Sequence, residues 1–217
     1  MNLKILSLVI IGVCILLPDV CYAFLEKDVH LLNMQNGLAD NTVSAVYKDK
    51  EGFVWFGTRN GLSRYDGRQI TNFEQSNSYP SISNLKEVFD GVLAFVDNGV
   101  FSAFDLKKER FLSVVSSSGQ GIPSRGMLQK NDSLVWVISG SELHLMKRCA
   151  SKEGELRLRI QEKYTGWDNQ DNLLVAITYS SDKKSICLID EKGRIILLDT
   201  TNLNSFRVID LGRTGSL

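Results

Sequence analysis

Histidine is almost missing from this chain, and its two copies, His30 and His144, stand alone. A transition-metal site gathers three or four nitrogen, sulfur or carboxylate ligands, so no metal is expected, and no cofactor motif is present. Cysteine is nearly as sparse, at four residues. Charge of one sign is not in excess either, because 25 basic side chains balance 25 acidic ones. The basic clusters, Lys107-Lys108-Glu109-Arg110 and Arg157-Leu158-Arg159, are interrupted by an acid or an apolar residue. Neither forms the continuous stripe that tracks a phosphate backbone, so nucleic acid is not an expected partner. Helical periodicity of useful length is absent beyond the N-terminal leader. Long apolar runs are absent too, with one exception.

That exception is Ile5 to Leu17, preceded by Asn2 and Lys4 and followed by Pro18-Asp19-Val20-Cys21-Tyr22-Ala23. A charged start, an apolar middle and a small-residue end are the layout of a secretory signal peptide over residues 1–23, cut between Ala23 and Phe24. The run falls short of the roughly 20 residues that span hydrocarbon, so no membrane span is expected once the leader is removed. Lipidation at Cys21 needs small residues before it, and Pro18-Asp19-Val20 does not supply them. Phe24 to Leu217 is therefore expected to be exported, with the size of one ordinary domain. Cys149 and Cys187 remain there, in an oxidising compartment. A bridge and two separate thiols both stay open, since sequence does not supply the geometry that decides.

What fills the mature chain is a succession of short apolar strands and turns. Thr42 to Tyr47 alternates polar and apolar, and Lys48-Asp49-Lys50-Glu51-Gly52 turns on a glycine able to take positive φ. Phe53 to Thr58 is an aromatic-rich strand, and Arg59-Asn60-Gly61 carries a strong hairpin signal. Leu62 to Tyr65 pairs back, Asp66-Gly67 turns again, and Ile70 to Phe73 makes an outer strand. Four antiparallel strands in about 35 residues are one propeller blade. The unit recurs roughly 40 residues on: Gly91-Val92-Leu93-Ala94-Phe95 aligns with Gly52-Phe53-Val54-Trp55-Phe56, and Asn98-Gly99-Val100 with Asn60-Gly61-Leu62. Ser133-Leu134-Val135-Trp136-Val137 is a third copy and Ser185-Ile186-Cys187-Leu188-Ile189 a fainter fourth. The expected fold is all-β: about four blades at approximately 38–75, 82–115, 122–165 and 168–211, an incomplete propeller with exposed edges. The segment from Cys149 to Asp171 is read as the longest inter-blade loop.

Asn41-Thr42-Val43, Asp49 to Gly52, Phe53-Val54-Trp55-Phe56-Gly57-Thr58, Asn60-Gly61-Leu62 and Arg64-Tyr65-Asp66-Gly67 together resemble the two-component regulator propeller repeat. The approach Phe24-Leu25 to Leu31-Leu32, then Asn36-Gly37-Leu38, resembles the start of the mature sensors that carry it. The resemblance implies an exported, periplasmic sensor of a hybrid two-component system in polysaccharide-degrading Gram-negative bacteria. It also implies further blades, a β-sandwich, a membrane helix and a histidine kinase. No second apolar segment, phospho-acceptor helix, ATP lid or receiver carboxylate cluster is found here, so the chain is expected to be the front portion or a truncated copy of such a sensor. Later blades match in pattern only: Ala94 replaces the tryptophan, and Val96 and Ile138 replace Gly57.

The repeat assigns structural roles to Gly52, Trp55, Phe56, Gly57, Asn60, Gly61, Leu62, Tyr65 and Trp136. Trp55 and Trp136 recur with the blade and are read as core, with sugar-stacking platforms as the alternative. Arg59, Arg64, Tyr65 and Arg68 form the one local cluster of charge and aromatic able to face a ligand. Trp167 is a further candidate, contacting a partner or capping a blade. Asp168-Asn169-Gln170-Asp171-Asn172 has alternate oxygens, but Leu173 and Tyr179 occupy the glycine and glutamate positions of a calcium loop. No carboxylate pair or nucleophile elbow is singled out, and catalysis is not expected. The expected role is ligand sensing, with an oligosaccharide ligand and remaining sensor blades, a partner protein or a homodimer as partners. A self-contained secreted interaction scaffold is the alternative, and a glycan-processing enzyme trails both.

Overall fold

The computed structural model describes residues 31–74, 81–167 and 172–210. The expected leader, with Ala23 and Phe24, lies outside the described residues, as does most of the polar loop 168–172. Apart from one 3-10 turn at Met34–Asn36, the regular structure among the described residues is strand. The first blade is a meander of β1 (Val43–Lys48), β2 (Val54–Thr58), β3 (Gly61–Tyr65) and β4 (Ile70–Phe73). The second comprises β5 (Ile82–Phe89), β6 (Val92–Asp97), β7 (Val100–Asp105) and β8 (Arg110–Ser116). The third is β9 (Gly126–Asn131), β10 (Leu134–Ser139), β11 (Glu142–Cys149) and β12 (Glu155–Tyr164). The fourth is β13 (Leu174–Tyr179), β14 (Ser185–Asp190), β15 (Ile195–Asp199) and β16 (Phe206–Ile209). The first strands of consecutive blades are spatial neighbours, β1 beside β5, β5 beside β9 and β9 beside β13.

Strand alternation gives every blade two faces, and each blade packs its leading face on the trailing face of the next. In β2, Trp55 and Gly57 lead while Val54 and Phe56 trail. Trp55 and Leu62 pack against Leu93, Phe95 and Phe104 of the second blade. Val92, Ala94 and Val96 meet Met127, Val135 and Val137 of the third. Trp136, Ile138 and Leu145 meet Ile177, Ile186 and Leu188 of the fourth. Each buried side chain of this size gains about 1.5–3 kcal/mol, so the three apolar seams are what order the blades.

A single turn chemistry recurs in the β1–β2, β9–β10 and β14–β15 turns. The Asp49 backbone N–H donates to Phe53 O at 3.0 Å and Gly52 N–H to Asp49 O at 3.2 Å. Its side chain accepts from Glu51 N and Phe53 N at 3.0 and 2.9 Å. In the fourth blade Asp190 does the same with Lys192 N and Arg194 N at 3.0 and 2.9 Å. In the third, Asn131 takes the place of the aspartate and accepts from Ser133 N and Leu134 N. An Asx side chain that satisfies the amides of a tight turn is a local, sequence-encoded device.

Gly57 is required by close approach. A Cβ there would lie 2.5 Å from Ile82 Cγ2 and 3.3 Å from Ala45 Cβ, so the second blade sits where a side chain would go. The third blade exchanges the roles: Ile138 is large, and opposite it Gly126 is small, with Ile177 of the fourth blade 3.4 Å from where its Cβ would be. This is why the motif glycine is not repeated. Gly61 combines a φ of +108° with a would-be Cβ 2.6 Å from Phe73 O, a position open to glycine alone.

Two features differ from the sequence expectation. The segment read as the longest loop contains β12, whose Leu156 and Leu158 are buried beneath an otherwise charged strand. Moreover β12 pairs in parallel with β8, Glu155 opposite Ser113 through Leu158 opposite Ser116, which welds the second and third blades into one eight-stranded sheet. The pairing consumes the outer edges of both blades. Its determinants lie some 40 residues apart, beyond any local pattern. Cys149 and Cys187 are both free thiols.

Candidate functional site

The seam between the first two blades holds a cavity of about 180 Å³, lined by Asp49, Lys50, Glu51, Phe53, Trp55, Arg64, Gly91, Leu106 and Lys107. Its floor is Trp55, stacked on Phe73 with ring centroids 5.6 Å apart and tilted against Phe104 at 5.4 Å. Asp49 Oδ2 accepts the Trp55 indole N–H at 2.8 Å, so the turn carboxylate also fixes the ring plane. Arg64 lies across the floor. Its guanidinium is 4.8 Å from the Phe53 ring centre, 5.5 Å from Phe73 and 5.6 Å from Trp55. Glu109 of the second blade holds the guanidinium from outside at 2.5 Å. A cation over three aromatic faces and tied at its far end is oriented rather than free.

The rim is ionic and crosses the seam. Asp90 of the second blade accepts from Lys50 of the first, and from Lys107 at 3.0 Å. Lys50 also stands 3.4 Å from Glu87. The hydrogen bond from Lys50, followed by that from Lys107, pushes the Asp90 carboxyl down to about 2, and the same bond raises the Lys50 ammonium. The arrangement offers an apolar platform, one oriented guanidinium and a ring of charges that can exchange partners with a polar ligand. Among the described residues no three His, Cys, Asp or Glu side chains gather as metal ligands.

The four residues proposed from sequence as a cluster are not brought together. Arg64 lines the cavity. Tyr65, its strand neighbour, points to the opposite face, where it is half-buried. Arg59 is exposed in the β2–β3 turn and Arg68 in the β3–β4 turn, so they sit at opposite ends of the sheet. Trp167 is buried in the third seam, donating to Ser141 O at 3.1 Å and meeting Phe206 edge-on. Trp136 is as buried as Trp55, with Lys130 Nζ 4.9 Å from its ring centre. Sequence reasoning missed Lys50, Lys107, Asp90 and Glu109. Their only signal was that Asp90-Gly91 and Asp105 to Glu109 occupy the turns that repeat those of the first blade.

A second, more open cleft of about 590 Å³ is lined by Glu191, Lys192, Arg194 and Asp210. Its first three residues belong to the β14–β15 turn, at the end of the blade opposite to that of the β1–β2 turn. Burial opposes the Asp190 charge, yet hydrogen bonds from Arg194 hold its carboxyl below the usual range.

Residues 37–60, which include the Asp49 turn and the Trp55 strand, match the family model described as two component regulator propeller. Over those residues the chain is similar to that repeat. No curated protein matches the sequence. Among solved structures, the chain is similar to the extracellular domain assigned to a one-component system of B. thetaiotaomicron, with a TM-score of 0.61 and 15% identity over 83% of this chain and 27% of that one. It is also similar to the extracellular domain assigned to a hybrid two-component system of the same organism, with a TM-score of 0.56 and 19% identity over 84% and 26%. Virginiamycin B lyase of Staphylococcus aureus follows, with a TM-score of 0.54 and 12% identity over 82% and 58%. These likenesses establish the β-propeller fold. The propeller segment spans about a quarter of the two extracellular domains.

Proposed function

We propose that this propeller segment is the ligand-sensing part of a two-component sensor of the hybrid histidine kinase type, acting outside the cytoplasm and responding to carbohydrate. The observation that carries the reading is the cavity between the first two blades, floored by Trp55 and crossed by Arg64. The half-buried Phe53 and Leu106 suit the apolar face of a sugar ring, and an oriented guanidinium with nearby carboxylates suits its hydroxyls or an acidic substituent. The cavity has room for one ring rather than for the larger ligands that fill pockets of 300 Å³ and more. Its walls come from two blades, so a ligand there stabilises one seam geometry over another. Differential affinity for two arrangements is the physical source of any signal passed onward.

Titration calorimetry of the chain against neutral and acidic oligosaccharides tests this. Binding by at least one glycan, weakened tenfold or more in Arg64→Ala with the fold intact, supports the reading. A full panel without binding contradicts it. The alternative, a self-contained interaction scaffold, is favoured by one observation: apolar side chains exposed on the two terminal blade faces.

A further inference from the structure

The cavity between the first two blades is poor in free hydrogen-bond acceptors. Asp49 Oδ1 accepts from the amides of Glu51 and Phe53, and Oδ2 from the Trp55 indole. The two oxygens of Asp90 are taken by Lys50 and Lys107. Glu87 Oε1 accepts from Gly91 N–H at 2.9 Å and lies 3.4 Å from Lys50. The lining carbonyls of Asp49, Phe53 and Gly91 each accept an amide as well, from Gly52, Asp49 and Leu106. Among the described residues, Glu51 is the lining carboxylate that no donor reaches.

Donors, by contrast, are in surplus. A guanidinium carries five N–H bonds, and Arg64 uses one nitrogen, Nη1, on Glu109. Its Nε and Nη2 have no acceptor among the described residues, and neither nitrogen is buried. The ammonium groups of Lys50 and Lys107, with three N–H bonds each, share the single carboxylate of Asp90. Lys107 is laid along the cavity edge because residue 91 has no side chain: a Cβ there would stand 3.2 Å from Lys107 Cε.

Each hydroxyl of a neutral sugar donates as well as accepts, and here the donated half finds few partners, whereas a carboxylate only accepts. We propose that the sugar taken by this cavity is a uronic acid. Arg64 Nε–H and Nη2–H donate side by side to its carboxylate, Lys107 adds a donor at the mouth, and Glu51 receives a ring hydroxyl. This rests on the sensing role proposed for the cavity and narrows it to one class of ligand. Phe53, Trp55 and Phe73 hold the guanidinium from beneath and Glu109 holds it from outside. The fork is therefore oriented before the ligand arrives, which lowers the ordering cost of binding.

The test is titration calorimetry of the full chain at neutral pH with glucuronate, galacturonate and their trisaccharides, against glucose, galactose and the matching neutral trisaccharides. At least one uronate ligand is expected to bind about tenfold or more tighter than its neutral counterpart, by an amount that shrinks as salt is raised. Arg64→Lys keeps the charge but loses the paired donors, and is expected to weaken uronate binding about tenfold. Asp90→Asn removes the charge that holds Lys107, and is expected to tighten uronate binding about threefold, a gain that no folding defect produces. A neutral sugar bound as tightly as its uronate, or uronate binding unchanged in Arg64→Lys, overturns the acidic assignment and leaves the sensing role standing. Weaker uronate binding in Asp90→Asn overturns the part given to Lys107. Binding of neither class overturns the assignment together with the sensing role.

Discussion

The indole N–H of Trp55 donates to Asp49 Oδ2 at 2.8 Å while the other oxygen of that carboxylate accepts two amides of the preceding turn. One buried side chain therefore closes the β1–β2 connection and sets the ring that floors the seam. In the fourth blade Arg194 Nε takes the indole's place, 2.8 Å from Asp190 Oδ2. The same Asx chemistry thus serves an apolar floor in the β1–β2 turn and an ion pair in the β14–β15 turn.

Replacing Asp49 with alanine leaves two turn amides and a buried indole N–H without their acceptor. The buried indole donor left unpaired costs about 1–3 kcal/mol and the turn amides, open to water, less, so Asp49→Ala is expected to destabilise by roughly 2–4 kcal/mol. Trp55→Phe should cost less, about 1–2 kcal/mol, because most of its contact area survives. Urea unfolding of the two variants and the double variant checks this. The double variant is expected to fall short of the sum, since both changes delete one shared bond.

Gly57→Ala drives a methyl into Ile82 Cγ2, and overpacking of this kind costs about 1–3 kcal/mol. Ile82→Val in the same chain should recover part of the loss. The measurement is the denaturation midpoint of the single and double variants. An unchanged midpoint for Gly57→Ala would show that the second blade does not approach as closely as described.

How much of this was legible in the sequence follows from how local each determinant is. Asp49, Gly52, Asn60 and Gly61 act within a few residues of themselves, so the first blade could be read strand by strand. Trp55 and Trp136 could be read as core because they recur with the blade. The parallel weld of β12 to β8 could not, because Ser113 to Ser116 and Glu155 to Leu158 carry no mutual signal until the blades are stacked. The cavity was half visible. Arg64 is written into the first blade, but Glu109, Asp90 and Lys107 reach it only through the turns of the second. Arg59 and Arg68, close to Arg64 in sequence, are set apart by the hairpins between them.

Asp90 gives the seam a pH dependence. Its carboxyl is depressed to about 2 by Lys50 and Lys107, below the ordinary value near 4 of an unfolded chain. A depressed acid contributes stability above its unfolded pKa and loses it as pH falls through the folded one. The melting temperature of the native chain should exceed that of Asp90→Asn at pH 6, with the gap closing between about pH 4 and pH 2. Because Asp90 is exposed, the gap should be small and shrink in 1 M salt. A gap that widens on acidification would reverse the assignment.

The weld between the second and third blades rests on burial more than on charge. Glu153 accepts from Lys108 and Arg110 at 2.7 and 3.0 Å, and such exposed pairs contribute little to stability. Leu158, fully buried beneath β12, should cost roughly 2–5 kcal/mol as alanine. Thermal melts of Glu153→Ala and Leu158→Ala are expected to separate clearly. Equal effects would shift the weight to the ion pairs.

Hydrogen exchange with and without a bound glycan tests the central claim, a sensing site in the seam between the first two blades, most directly. Slower exchange is predicted on both walls together, over residues 49–64 and 90–109, with the fourth blade unchanged. Protection confined to residues 190–210, or to one wall alone, would contradict it.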